Sequence, residues 1–128
     1  MELITDRQER IQILVDTAKS FRQAPADRIS KPYPEENRVP GCESEAFAWT
    51  SLERGGLVFE FAVENPQGIS AMAMAEILRE GLMGEPASAA ESVPDDIVYR
   101  IFGKELSMGK SMGLMGMVQL IKAQARRL

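Results

Sequence analysis

The sequence predicts an α+β fold of one domain, residues 1–128, with a small antiparallel three-stranded sheet and helices packed on one of its faces. Two observations lead there. Strand-type alternation is confined to one stretch, Arg38 to Glu64, and helix-type stripes with their own start and stop signals lie on either side of it. Segregation of this kind lays helices over a sheet instead of interleaving the two. A length of 128 residues is ordinary for one such domain.

Thr5, with Gln8 three residues later, forms a capping box that opens the first helix. Ile11, Leu14, Val15, Ala18 and Phe21 recur at the spacing of one helical face, while Arg7, Arg10, Gln12, Asp16 and Lys19 take the wet side. Pro25 ends this helix near Gln23. From Ala24 to Arg38, three prolines (Pro25, Pro32 and Pro34) and many charges specify an extended connector. Beyond it, Leu57, Phe59, Phe61 and Val63 alternate with Val58, Glu60, Ala62 and Glu64, the period of a half-buried strand. Phe47 and Trp49 share one face of the preceding run. Arg54-Gly55-Gly56, between the runs, supplies the positive φ that a tight hairpin needs. The expectation is a single sheet face carrying Phe47, Trp49, Phe59 and Phe61 together, and such a face requires a cover.

The later helices supply that cover. Asn65-Pro66 reads as an N-cap followed by proline at the first helical position, and the run through Ile69, Met72, Ala73, Ile77 and Leu82 continues to about Met83 before Gly84 stops it. Ser88 caps a short helix near Ala89 to Ser92. Pro94-Asp95-Asp96 opens another, which passes through Val98 and Ile101 to Phe102 and ends at Gly103. Ser107 or Ser111 caps the last helix, whose buried stripe is Leu114, Met117, Val118, Ile121 and Ala125. Arg126 and Arg127 complement the dipole at its C-terminal end.

Composition excludes several classes of function. A net charge of −4 argues against a protein that grips phosphate backbones, so no nucleic-acid partner is expected. No run approaches the roughly 20 apolar residues that span a bilayer, and the N-terminus lacks an apolar run of signal-peptide type. A single cysteine cannot form an internal disulfide. These features indicate no membrane partner and a reducing, cytoplasmic setting. The chain has no histidine, which removes Cys-His and Ser-His-Asp machinery and imidazole metal ligands. One thiolate cannot alone hold a structural zinc or an iron–sulfur cluster, so no metal site is expected. Gly109, Gly113 and Gly116 fit neither nucleotide-binding fingerprint, so a self-contained hydrolase or nucleotide enzyme is not expected.

Attention therefore falls on the only thiol, in Asn37-Arg38-Val39-Pro40-Gly41-Cys42-Glu43-Ser44-Glu45. A lone cysteine is often a small buried hydrophobe, but Pro40-Gly41 breaks the strand and lifts Cys42 into a turn, where a thiol is accessible. Glu43 and Glu45 flank it with negative charge, and Arg38 is the only nearby cation in the sequence. Such a thiol depends on a partner to supply a positive field, which suits sulfur relay better than unaided nucleophilic attack. Partner contacts have further candidates. Met108, Met112 and Met115 form a row at i, i+4 and i+7 that continues into polar Gln119, Lys122 and Arg126. The row is thus not the core stripe; it is either a partner surface or, the favoured expectation, covered by a neighbouring loop. Glu35, Glu36, Glu43 and Glu45 either meet basic partner residues or form a solvated loop, and Lys110 either positions the acceptor loop or is solvated.

The run Asn37 to Ser44 resembles the cysteine motif of the SufE family, sulfur acceptors that partner cysteine desulfurases. The downstream order is similar too: a hairpin, a long helix ending at Gly84, Glu85-Pro86-Ala87-Ser88 before a short helix, and a Ser/Lys/Gly-containing start to the last helix. The resemblance covers roughly Asp6 to Leu128 and implies a SufE/IscU-like form of the α+β fold. It implies that Cys42 accepts a persulfide sulfur and that Gly41 and Ser44 shape its loop. Arg38, Glu43, Lys110 and Met112 become partner-binding candidates. It further implies a pyridoxal-phosphate cysteine desulfurase as sulfur donor, an iron–sulfur scaffold or other acceptor downstream, and a sulfur carrier that stimulates its partner, holds no cofactor and is not an enzyme in its own right. Three departures accompany it. Phe47 stands where the family commonly has tryptophan. In the usual Ser-Arg-x-Asn/Gln-Gly start of the last helix, Lys110 replaces the arginine and Met112 the amide, which loses the planar guanidinium fork and a hydrogen-bonding group. An N-terminal helix that many members carry is not evident. The alternatives are a docking or regulatory module of the same fold, or a redox sensor whose Cys42 forms an intermolecular disulfide.

Overall fold

The computed structural model describes residues 7–104 and 106–128, so Thr5 of the expected capping box lies outside the described residues. Helix α1 runs from Arg7–Lys19. It stops before Gln23 because Ser20 and Phe21 close the last turn with short-range bonds to the Thr17 and Ala18 carbonyls. Leu14 and Ala18 of its stripe are buried, while Ile11 is exposed.

Strands β1 (Ala46–Glu53) and β2 (Gly56–Val63) form an antiparallel hairpin. Arg54 and Gly55 make the two-residue turn, both at positive φ (54° and 81°), the conformation that matches strand twist. The sheet has two strands; the expected third reduces to one bridge, Arg38 opposite Phe47. Pro40 has no N–H to continue a ladder, and the chain turns away at Gly41 with φ +70°. Side chains take over that edge. Asn37 Nδ2 and Gln124 Nε2 each donate to the Ala48 carbonyl at 2.8 Å, and the Val39 N–H donates to the Ala46 carbonyl at 2.8 Å. The β2 edge is blunted as well, by the Ala24 N–H donating to the Phe61 carbonyl and the Leu57 N–H donating to the Glu85 carbonyl, both at 2.8 Å.

The register corrects the expected aromatic face. Phe47 pairs with Ala62 and Trp49 with Glu60, whereas Phe59 pairs with Thr50 and Phe61 with Ala48. Paired residues share a face, so the two aromatic pairs lie on opposite sides of the sheet. Turn length is the cause. Pairing Glu53 with Gly56 sets odd-numbered β1 residues beside even-numbered β2 residues, and one residue more or less would reverse this. Phe59 and Phe61 join the core under the helices. Phe47 and Trp49 face the connector, where Tyr33 packs on both rings with centroids at 4.9 and 5.3 Å and the Arg38 guanidinium lies 4.7 Å from the Phe47 centroid.

Helix α2 (Ile69–Leu82) begins three residues later than Pro66. Asn65 instead closes its own turn, its Oδ1 accepting from the Gln67 N–H at 2.9 Å. The helix lies between α1 and β2 and buries Ala71, Ala73, Met74, Ala75 and Leu78. It also buries an ion pair, Arg79 Nη1 with Glu76 Oε2 at 3.2 Å, and Arg79 Nη2 donates to the Arg22 carbonyl at 3.3 Å. Burial pushes the Glu76 carboxyl above its ordinary range against the opposing pull of Arg79. Short helices α3 (Ser88–Glu91) and α4 (Ile97–Phe102) lead to α5 (Met108–Arg126), capped by Ser107, whose Oγ accepts from the Lys110 N–H. Leu114, Met117, Val118, Ile121 and Ala125 of α5 are all buried, as their spacing predicts, and α5 covers β1. One core cluster unites helices and sheet, centred on Phe59, Phe61, Leu57, Met74, Met117 and Ile121.

Candidate functional site

Cys42 lies in the loop that joins the Arg38 bridge to β1. The loop is pinned at both ends: the Val39 N–H donates to the Ala46 carbonyl, the Asn65 N–H to the Ser44 carbonyl at 3.2 Å, and the Glu64 N–H to the Glu45 carbonyl at 3.1 Å. Between these anchors Gly41 and Glu45 both take positive φ, +70° and +52°. Glycine meets that requirement without strain, whereas Glu45 carries a local cost of about 1 kcal/mol.

The loop is seated on bare backbone. A Cβ added at Gly113 would stand 3.0 Å from Cys42 Cα and 3.3 Å from Cys42 Cβ, and one added at Gly116 would overlap the Pro40 carbonyl oxygen. One at Gly109 would lie 3.4 Å from Glu43 Oε1, and one at Gly68 would lie 2.8 Å from Ser44 Oγ. Pro40, Cys42, Glu43 and Ser44 therefore each pack against a glycine, three of them on one face of α5. These glycines are the site residues that sequence reasoning missed. Their signal was the i, i+4, i+7 spacing of Gly109, Gly113 and Gly116 inside a helix. Each such glycine costs about 1 kcal/mol against alanine, so three on one face mark a close backbone approach.

Cys42 is a free thiol, half-buried, with its side chain against the edge of the core. It lines a cleft of about 420 Å³ whose other walls include Ser44 and Glu43 of the loop, Gly68 and Ile69 at the start of α2, and Lys110 and Gly113 of α5. Gly41, Glu43, Ser44 and Lys110 are thus brought together around the thiol. Met112 sits behind the loop, its backbone 3.8 Å from where a Gly41 Cβ would be, with its side chain 57% exposed. Met108 is 78% exposed, so the covering loop expected for the methionine row is absent at these two positions, while Met115 packs against the core.

Arg38 is placed differently. Its Nε and Nη2 donate to Glu35 at 2.9 and 3.0 Å while its guanidinium lies over Phe47, which ties it to the connector. The same hydrogen bonds hold the Glu35 carboxyl below its ordinary range. The cation that lines the thiol cleft is Lys110, distant from Cys42 in sequence. Glu36 and Glu45 are exposed. Among the described residues, no cluster of three or more Cys, Asp or Glu side chains is arranged to hold a metal ion.

Comparison with known proteins gives a consistent result. Residues 1–125 match the family model described as "SufE: Fe-S metabolism associated domain". Among solved structures, the chain is similar to the solution structure of a hypothetical protein from Thermus thermophilus, with 30% identity and a TM-score of 0.73, over 95% of this chain and 85% of that one. No curated protein matches.

Proposed function

From the premise that the chain belongs to the SufE family, we propose that Cys42 takes sulfur from the persulfide of a cysteine desulfurase and passes it to iron–sulfur cluster assembly. Family membership itself implies a role in Fe-S metabolism as a sulfur acceptor. The observation that carries the finer reading is the position of the chain's only cysteine, half-buried on a doubly anchored loop at a cleft that also holds Lys110.

The chemistry needs nothing more from this chain. The Cys42 thiolate attacks the terminal sulfur of the donor's Cys–S–SH, a new S–S bond forms at Cys42, and the donor's S–S bond breaks. The donor cysteine leaves as thiolate and takes up the proton that Cys42 gave up, so no external oxidant or reductant is consumed. Pyridoxal phosphate belongs to the donor enzyme, where it releases sulfur from free cysteine. Lys110 supplies positive charge beside the persulfide anion. Glu43 and Met112 form the partner-contacting rim with it, and Arg38, fastened to Glu35, holds the connector behind the loop. Onward transfer repeats the exchange, with an acceptor thiolate on an iron–sulfur scaffold attacking the Cys42 persulfide. A cytoplasmic setting suits a persulfide carrier, and no described helix is long and apolar enough to cross a membrane.

The test is direct. Incubated with a cysteine desulfurase, its cofactor and free cysteine, the protein gains ~32 Da, one sulfur atom, on the peptide containing Cys42. Cys42→Ser abolishes the adduct and any stimulation of the desulfurase that depends on transfer. Full stimulation by Cys42→Ser would instead establish a docking or regulatory module, and loss of the adduct in favour of a Cys42 intermolecular disulfide would establish a redox sensor.

A further inference from the structure

The described methionines fall into two environments. Met74 and Met117 are fully buried and Met72 and Met115 pack against the core, whereas Met83, Met108 and Met112 are exposed. An exposed thioether is open to oxidation, and a buried one is shielded. Met108 and Met112 stand four residues apart on α5, and each directly precedes a glycine that seats the cysteine loop, Gly109 or Gly113. One residue turns a helix by about 100°, so this pair runs beside the loop and not beneath it. Met112 borders the loop itself, its Cβ 3.8 Å from where a Gly41 Cβ would be. Met83 is nearly as open, at 53%, but it caps the far end of α2. That end lies about 20 Å along the helix from Ile69, the α2 residue that lines the thiol cleft.

We propose that Met108 and Met112 are a peroxide-sensitive modification site whose sulfoxides weaken docking of the sulfur donor. This inference rests on the sulfur-transfer reading, and it gives that reaction a redox control separate from its thiol. Each thioether sulfur attacks one oxygen of hydrogen peroxide; an S–O bond forms and the O–O bond breaks. The leaving hydroxide takes the proton from the transferred oxygen and departs as water. The sulfur loses two electrons and the peroxide gains them. A flexible apolar side chain thereby becomes a polar one. A donor that packs on this rim must then strip water from the new S=O dipoles, a cost that the thioethers do not impose. The fold is spared, because neither side chain belongs to the core cluster. Methionine sulfoxide reductases reverse the change, so a carrier arrested in this way is recoverable.

The probe is dilute hydrogen peroxide on the folded full chain, followed by dithiothreitol to restore any reversibly oxidised thiol. Tandem mass spectrometry locates each gain of ~16 Da, one oxygen atom. Met108, Met112 and Met83 should oxidise before Met72, Met74, Met115 and Met117. The oxidised chain should bind a cysteine desulfurase roughly fivefold more weakly and acquire sulfur more slowly at limiting concentration, and methionine sulfoxide reductases should restore both. Alkylation of Cys42 by a small uncharged reagent keeps its rate. In the double variant Met108→Leu/Met112→Leu, peroxide leaves binding and transfer at that variant's own starting values, whatever these are. In Met83→Leu, peroxide still weakens both. Oxidation of the buried methionines as fast as Met108 and Met112, or an equal peroxide effect in the double variant, would overturn the proposal. The two readings fail separately. If the chain binds the desulfurase and acquires sulfur equally before and after oxidation, the methionine site falls and the carrier stands. If oxidation weakens desulfurase binding but no form acquires sulfur, the methionine site stands and the carrier falls.

Discussion

The two halves of α5 serve opposite ends. From Met108 to Gly116 the helix carries three glycines and two exposed methionines, and its bare backbone seats the cysteine loop. From Met117 to Arg126 it buries Met117, Val118, Ile121 and Ala125, and the polar side chains of Lys122, Gln124 and Arg126 are fastened. Lys122 Nζ donates to the Val93 carbonyl at 2.7 Å; Gln124 accepts from Thr50 Oγ1 at 2.7 Å and donates to the Ala48 carbonyl; Arg126 pairs with Glu91. The first half gives up helix propensity, about 1 kcal/mol per glycine, for contact with the site. The second half holds the helix in place so that the first can do so. Function and stability are thus divided along one element, and substitutions in the two halves should separate them.

The largest effect belongs to the second half. Met117 is fully buried among core residues, so Met117→Ala removes contacts and leaves a cavity, destabilising the protein by about 2–5 kcal/mol. Denaturant midpoints measure this. Below the transition, the alkylation rate of Cys42 should stay close to wild type, because the loop and its glycine seat are untouched. A large change in thiol reactivity at full folding would show that the halves are coupled.

Gly116→Ala tests the first half with a smaller cost in stability. Its new methyl group meets the Pro40 carbonyl, a backbone atom that cannot swing aside. Overpacking costs about 1–3 kcal/mol and improved helix propensity returns about 1, for a net loss of about 1 kcal/mol. Cys42 alkylation should rise several-fold as the loop lifts. Gly81→Ala in α2 is the control, since nothing lies within 4 Å of its added methyl group. It should stabilise by up to about 1 kcal/mol and leave thiol reactivity unchanged.

This division of α5 was only half legible in the sequence. The buried stripe from Leu114 to Ala125 follows from spacing alone, because a helix must turn its apolar face inward whatever it packs on. The hairpin and the stops at Gly84 and Gly103 were legible for the same local reason, and the cysteine motif pointed to Cys42 directly. What depends on two distant segments was not. The parity of Phe47 against Phe61 is set by a one-residue difference in the turn, and either parity gives the same alternating pattern. The reach of Asn65 to Gln67, which delays α2, competes with N-capping at equal sequence cost. Lys110 as the cation lining the cleft, in place of neighbouring Arg38, depends on how α5 docks beside the loop. The glycine stripe was visible as spacing, but its meaning required knowing what lay against it.

The smallest effect tests how far the second half depends on its outermost tie. Arg126 hydrogen-bonds the Glu91 carboxylate from the last turn of α5 and so fastens α3 to the helix that seats the site. That hydrogen bond, with the attraction of the guanidinium, holds the Glu91 carboxyl below its ordinary value of 4.5. Between the folded pKa and 4.5 the unfolded chain binds more protons, so stability rises with pH across that window. The contribution is complete above 4.5 and is lost as pH falls through the folded pKa. Glu91→Gln should therefore lower the melting temperature slightly at pH 7, by about 1 °C for an exposed pair, and the gap from wild type should close as the solution is acidified. High salt should narrow the gap at neutral pH, because both side chains face water. A gap that persisted unchanged into acid would mean that Glu91 acts through helix packing and not through its charge. The second half of α5 would then owe its hold on α3 to buried contacts alone.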